Sequence, residues 1–294
     1  MHRLGIDLGG TKMEGVVLDP TGKELFRKRI PTEREQGYQH ILNRLKSLHD
    51  DLVAAAGGQP TTFGLGTPGA LSPRTGLLKN SNTVCMNGRH VKADLEKLLG
   101  RPVEIQNDAN CFAMAEALLG AARGHKMVFG VIMGTGCGGG LVYKGEVITG
   151  PQAIAGEWGH MCIDPQGPEC FCGQRGCAEV YISGGGLERL YASRYGHQRL
   201  LKDVVAAYAA GEAQAVAFMQ EFFDHYGRAM ANLIDVLDPD MVVLGGGVSN
   251  IPLVYTEGLA AVKKYVFTDD LETPIVKNQL GDSAGVLGAA LVGI

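Results

Sequence analysis

Along this chain, short apolar runs break off at glycines, and between them lie longer stretches whose apolar residues recur at helical spacing. Leu4 to Leu8 runs into Gly9-Gly10-Thr11, and Gly15 to Asp19 and Glu24 to Ile30 follow, which predicts an N-terminal meander of three strands. Ile41, Leu45, Leu48 and Leu52 then predict a helix over Tyr38 to Ala56, ended by Gly57-Gly58. Thr62 to Leu65 and Val103 to Gln106 read as strands. Asp108 to Leu119 reads as a helix of good helix formers, capped by Asn107 or Asp108. Val128 to Met133, a glycine turn and Gly139 to Tyr143 weakly repeat the N-terminal pattern. Helices are predicted at Leu187 to Tyr195, Leu201 to Ala210 and Ala213 to Leu237. Met241 to Leu244 is a buried strand ending in Gly245-Gly246-Gly247, and Ala284 to Val292 is a short final helix.

With 294 residues the chain is at the size where a single core stops growing efficiently, so two lobes are expected, with a hinge near Ala115 to Gly124. The residues are 45% hydrophobic and 20% charged, with a net charge of -4, which excludes a disordered acidic chain and a basic nucleic-acid binder. No window approaches the length of a membrane-spanning helix and the N-terminus has no secretory pattern, so a cytoplasmic protein without membrane contact is expected. In that reducing setting, seven Cys point to metal binding or burial rather than disulfides.

Asp7-Leu8-Gly9-Gly10-Thr11-Lys12 matches neither common nucleotide-binding glycine motif. Its glycines nevertheless let backbone N–H groups approach an anion, Thr11 and Lys12 add a hydroxyl and a cation, and Asp7 is placed to hold a hydrated Mg2+. Gly134-Thr135-Gly136 opens a second such turn, and Gly245 to Gly247 forms a third at a strand end. Together they suit a bound nucleotide triphosphate. Asp108, at a strand-to-helix junction, is then the candidate base, because phosphoryl transfer to an alcohol needs a carboxylate to accept the hydroxyl proton. His160, Cys170, Cys172 and Cys177 form H-x9-C-x-C-x4-C, a set suited to tetrahedral zinc with no open position, hence a structural metal. Glu157 lies three residues before His160, so one helical turn would bring the two together.

DLGGTK (7–12), GLGTPG (64–69), NDAN (107–110), GTGCGGG (134–140), GEWGH (156–160), CFCGQRGC (170–177) and GGG (245–247) resemble, in order and along nearly the whole chain, the ROK family of sugar kinases and repressors. The resemblance implies an α/β protein with the two-lobed actin-like ATPase (ribonuclease H-like) fold and an active site in the interlobe cleft. The lobes would be residues 1–117, joined by the returning helix 283–294, and residues 118–282 with the zinc loop. It also implies that Asp108 deprotonates a sugar hydroxyl for attack on the γ-phosphate of MgATP, and that the protein is a homodimer. Glu157, His160 and Glu179 would bind sugar hydroxyls, with the other ring nitrogen of His160 on zinc.

The remaining sugar contacts are expected from the loop Gly69 to Asn87, above all Gly69 and Asn82, and from Asn107 beside Asp108. DLGGTK begins at residue 7, which leaves no recognition helix before it and favours a kinase over a repressor. LKNSNTVCMNG and GEWGH resemble the fructokinase and mannokinase branch, whereas NDANCFA is shared with N-acetylglucosamine kinases. The expectation is phosphorylation of the 6-hydroxyl of fructose or mannose, with the amino sugar as alternative. A catalytically silent sugar sensor is the alternative of another class.

Overall fold

The structure is a computed structural model and describes residues 1–293. In chain order its first elements are β1 (His2–Leu8), β2 (Lys12–Leu18), β3 (Glu24–Pro31), α1 (Tyr38–Ala55), β4 (Thr61–Thr67), β5 (Ala70–Leu71), β6 (Leu78–Lys79), α2 (Val91–Leu99), β7 (Glu104–Asn107) and α3 (Asp108–Leu118). They are followed by β8 (Met127–Met133), β9 (Cys137–Tyr143), β10 (Glu146–Ile148), α4 (Ala178–Ile182), α5 (Gly184–Tyr195) and α6 (Leu201–Ala209). Then come α7 (Ala213–Leu237), β11 (Met241–Gly245), α8 (Glu257–Tyr265), β12 (Ile275–Lys277) and α9 (Ala284–Val292). The expected terminal helix 283–294 is thus α9, and Ile294 lies outside the described residues.

Two five-stranded sheets carry the fold, ordered β3-β2-β1-β4-β7 and β10-β9-β8-β11-β12. β1 pairs antiparallel with β2 and parallel with β4, and β4 pairs parallel with β7. In the second sheet β11 runs parallel to both β8 and β12, while β9 and β10 are antiparallel. The weak internal repeat of the sequence is therefore a repeat of strand order.

The chain forms two compact units, one of residues Met1–Gly124, Gly140–Ala155 and Leu280 onward, the other of His125–Gly139 and Gly156–Gln279. Assigned from sequence, 118–282 went to one lobe; here 140–155 groups with the first unit. The reason is a glycine: a Cβ on Gly140 would stand 2.6 Å from the carbonyl oxygen of Ala109 and 2.8 Å from the Ala113 side chain, so only a bare backbone lies this close to α3.

In the first unit β1 is buried on both faces. Leu48 and Leu52 of the amphipathic α1 pack over Gly15 of β2, where a Cβ would find them 3.1 Å away. On the opposite face lies α9, apolar all round and buried from Val286 to Leu291, as a helix enclosed by protein must be. Gly5 and Gly64, paired across β1 and β4, let it approach. A Cβ on Gly64 would fall 1.9 Å from the carbonyl oxygen of Ala289, and one on Gly288 would fall 1.8 Å from that of Cys111 in α3.

Because the obstacle at Gly64 is main chain, shortening a side chain on α9 cannot relieve it. Gly64→Ala is expected to lose about 1–3 kcal/mol in denaturant unfolding, as overpacked cores do. Adding Ala289→Gly is expected to recover none of that loss.

Candidate functional site

In the first unit, Asp7 lies one residue before the end of β1, and a tight turn of Gly9 to Thr11 leads into β2 at Lys12, closed by Gly9 N–H donating to the Lys12 carbonyl at 3.0 Å. Asp108 is the first residue of α3, with Oδ1 accepting from the Ala109 N–H at 2.8 Å, while Asn107 is the N-cap and accepts from Ala109 and Asn110. Strand order brings Asp7 and Asp108 together. Burial, then Asp108, then Glu14 push the Asp7 carboxyl up from 3.8 to about 7, against the lowering effect of Lys12. A carboxyl whose folded value is raised opposes folding when it ionises. This cost is absent below about 3.8 and complete above about 7, and a divalent cation beside Asp7 would offset it. The Cys111 thiol, wholly buried near both carboxylates, is driven far above its usual range and is inert.

The loop expected to hold sugar also belongs to this unit. Asn107 Nδ2 donates to the Gly69 carbonyl at 3.3 Å, so one residue caps α3 and fixes the loop start. Asn82 is exposed at its far end, between the buried Ser81 and Thr83. Asn87, expected to bound the loop, braces it internally through both its amide and its carbonyl to the Ser81 backbone.

In the second unit the two other glycine segments pack directly on each other. Gly246, at φ +78, would place a Cβ 2.5 Å from the Met133 carbonyl, just before the turn of Gly134, Thr135 and Gly136. Gly245 ends β11 and Gly247 begins the 3-10 turn after it. A further glycine segment that the sequence reading passed over joins them. Ser183 caps α5, Gly184 N–H donates to the Gly134 carbonyl at 2.8 Å, and Gly185 lies against the Thr135 carbonyl. A serine cap followed by three glycines was the available signal. Beside them a cavity of about 560 Å³ is lined by Thr135, Gly185, Glu188, Arg189, Gln198 and Arg199. That volume is in the range of small-molecule sites.

Four Cys and His residues of this unit converge. The ligand atoms of His160, Cys170, Cys172 and Cys177 lie within 4.8 Å of one another, with His160 Nδ1 3.6 Å from Cys170 Sγ and Cys172 Sγ 3.6 Å from Cys177 Sγ. Ligands around a tetrahedral zinc stand roughly this far apart, given Zn–S near 2.3 Å and Zn–N near 2.0 Å, so the donor set fits that ion. Gly176, at φ +63, makes the loop possible, since a Cβ there would meet the Asp164 carbonyl oxygen at 1.6 Å. Tyr181 of α4 stacks on His225 of α7 and donates to Asp164 Oδ2 at 2.7 Å, anchoring the loop.

Glu157 and His160 share one 3-10 turn, the His160 N–H donating to the Glu157 carbonyl at 3.2 Å. Glu157 is exposed, and His160 turns Nδ1 toward the thiols, which leaves Nε2 for another partner. Glu179, two residues beyond Cys177, is buried, and its Oε2 accepts from the Cys137 N–H at 2.8 Å. It therefore holds the glycine turn of β8 and β9 as well as lying next to the Cys3His cluster.

The pattern of the ROK family matches residues 3–293. The chain is 39% identical to the N-acetyl-D-glucosamine kinase of Yersinia pseudotuberculosis, over 98% of this chain and 97% of that one. Among solved structures it is similar to a ROK hexokinase from Thermus thermophilus, with a TM-score of 0.91, 36% identity and coverage of 99% and 97% of the two chains. It is also similar to a ROK glucokinase from Streptomyces griseus in complex with glucose and AMPPNP, with a TM-score of 0.77, 28% identity and coverage of 99% and 98%.

Elemental analysis is expected to find one zinc per chain. Its removal by a strong chelator should free three further thiols to a colorimetric reagent and lower the melting temperature by more than about 5 °C, since binding and folding of such loops are linked. An unchanged thiol count after chelation would refute metal binding at these residues.

Proposed function

This chain belongs to the ROK family, and from that membership and the arrangement of its residues we propose that this sugar kinase transfers the γ-phosphate of MgATP to the 6-hydroxyl of N-acetylglucosamine. The observation that carries the choice of sugar is the 39% identity, along nearly the whole chain, to an enzyme named for that substrate. It favours the amino sugar over the fructose or mannose expected from LKNSNTVCMNG and GEWGH. An unmodified hexose is the second reading, favoured by the likeness to the Thermus thermophilus hexokinase.

In this reading Asp108 accepts the proton of the 6-hydroxyl, the freed oxygen attacks the γ-phosphorus, and the bond from that phosphorus to the β–γ bridging oxygen breaks to release ADP. Asn107, Gly69 and Asn82 are assigned to sugar binding. Glu157, His160 and Glu179 are assigned the same task, and zinc, held by His160 and the three Cys, would fix the tautomer and aim of the imidazole. Gly9, Gly10, Thr11 and Lys12 receive phosphate. Gly134 to Gly136 and Gly245 to Gly247, with the cavity beside them, receive the rest of the nucleotide. Mg2+ would neutralise phosphate charge near Asp7. We place the enzyme in the cytoplasm, where ATP is supplied. Among the described residues no helix is long and apolar enough to cross a membrane.

In an ADP-release assay with MgATP, kcat/KM for N-acetylglucosamine is expected to exceed that for fructose, mannose and glucose by tenfold or more, about 1.4 kcal/mol of transition-state discrimination. A higher value for an unmodified hexose would establish the second reading, and no turnover with any sugar would make the protein a sensor.

Asp108→Asn is expected to lower kcat by roughly 100-fold or more, as loss of a positioned base does, with sugar affinity changed far less. Undiminished turnover would remove Asp108 from its role.

A further inference from the structure

The segment Thr32-Glu33-Arg34, which follows β3, is stapled to the DLGGTK turn. Thr32 is fully buried; its hydroxyl donates to the Gly9 carbonyl at 2.7 Å and its N–H to the Thr11 carbonyl at 2.9 Å. Next comes Glu33 at φ +53, ψ +47, a left-handed conformation that costs a residue with a side chain and persists only where its surroundings impose it. The imposing groups are present. Glu33 Oε2 lies 2.6 Å from His40 Nε2 and 3.8 Å from Arg44 Nη1, both on α1.

This bend delivers the Arg34 side chain onto the turn, with Nη1 3.3 Å from the point a Cβ on Gly10 would occupy. Arg34 is exposed, and among the described residues no carboxylate is paired with it. A second, independent feature faces the same point. The hydroxyl of Thr83, a residue 1% exposed, lies 3.9 Å away and has no hydrogen-bond partner. A buried hydroxyl without a partner is costly unless a ligand completes it.

We propose that Arg34 and Thr83 form the seat of the phosphoryl group in transit, with Arg34 donating to the γ-phosphate oxygens of ATP as charge redistributes over them. The assignment rests on the kinase reading above and adds to it two residues outside the turn. Its logic is positional. Gly10 belongs to the phosphate turn and Thr83 to the loop assigned to sugar, so an anion touching both is the one that moves between nucleotide and sugar. A planar guanidinium suits it, because its paired N–H donors match two oxygens of one phosphate.

The test compares Mg-AMP-PNP with MgADP, by calorimetry, on the wild type, Arg34→Gln, Arg34→Lys and Thr83→Val. Arg34→Gln is expected to weaken Mg-AMP-PNP about tenfold or more while MgADP stays within about twofold, and to lower kcat by about 1000-fold or more, the lower end of the range for arginines that stabilise phosphoryl transfer. Arg34→Lys should restore part of the affinity, and Thr83→Val should lose a few-fold for Mg-AMP-PNP alone. Equal losses for both nucleotides, or no loss in either, overturn the proposal while leaving the kinase reading standing. Wild-type protein that binds neither nucleotide overturns both. Thr83→Val failing to fold would leave the Arg34 pair to decide, since that side chain is exposed.

Discussion

Main chain pressed against main chain is the constraint on which the first unit depends. Gly5 and Gly64 on the strands and Gly288 on α9 remove the side chains that would otherwise separate helix from sheet and helix from helix. The resulting seam is dense because it contains so few side-chain atoms, and dense seams tolerate little change in volume. It also places chemistry. At the start of α9, a Cβ on Gly285 would stand 3.0 Å from Asp7 Oδ2, so the same glycine-lined approach that closes the core leaves the room in which Asp7 sits, two strands away from Asp108. Stability and carboxylate geometry are thus set by one contact surface.

The second unit solves a different problem, that of ordering a long loop with few apolar residues. Four Cys and His donors converge within it, and Glu179, two residues beyond Cys177, ties the loop to the glycine turn through a single hydrogen bond from the Cys137 N–H. A buried carboxylate held by a backbone donor is a directional constraint rather than a large stabilisation. It makes the position of the turn sensitive to the loop.

Much of this was legible in the sequence because the informative residues are glycines and ligands, whose roles are local. The helix Ala213 to Leu237 and the strand at Met241 matched pattern and structure almost residue for residue, since the helix has a clear buried face and the strand is an apolar run buried at every position. The H-x9-C-x-C-x4-C spacing sufficed to gather four donors. Other features were hidden for physical reasons. The helices α2 and α8 are short and half exposed, with only Val91 and Leu95, or Gly258 and Val262, buried, so too few apolar positions repeat to form a pattern. The pairing of β5 with β6 spans two residues on each side and has no periodicity at all. The grouping of 140–155 with the first unit depends on the close pass of Gly140 along α3, a long-range contact that no local pattern encodes. Nor does anything in Thr32-Glu33-Arg34 announce a left-handed glutamate, because the cause, His40 and Arg44, acts only once α1 has formed.

The order of elements gives the α9 seam a consequence for biosynthesis. The apolar face of β1 and β4 around Gly5 and Gly64 leaves the ribosome early, yet the helix that covers it follows the whole of the second unit. At the usual pace of roughly 5 to 20 residues per second, the intervening stretch from His125 to Gln279 takes on the order of ten to thirty seconds to make. Throughout that time the face of the first sheet around Gly5 and Gly64 lacks the helix that covers it, whereas the second unit has its whole sequence before α9 is made. The first unit is therefore finished after the second, and during synthesis it is this face that a chaperone would have to shield.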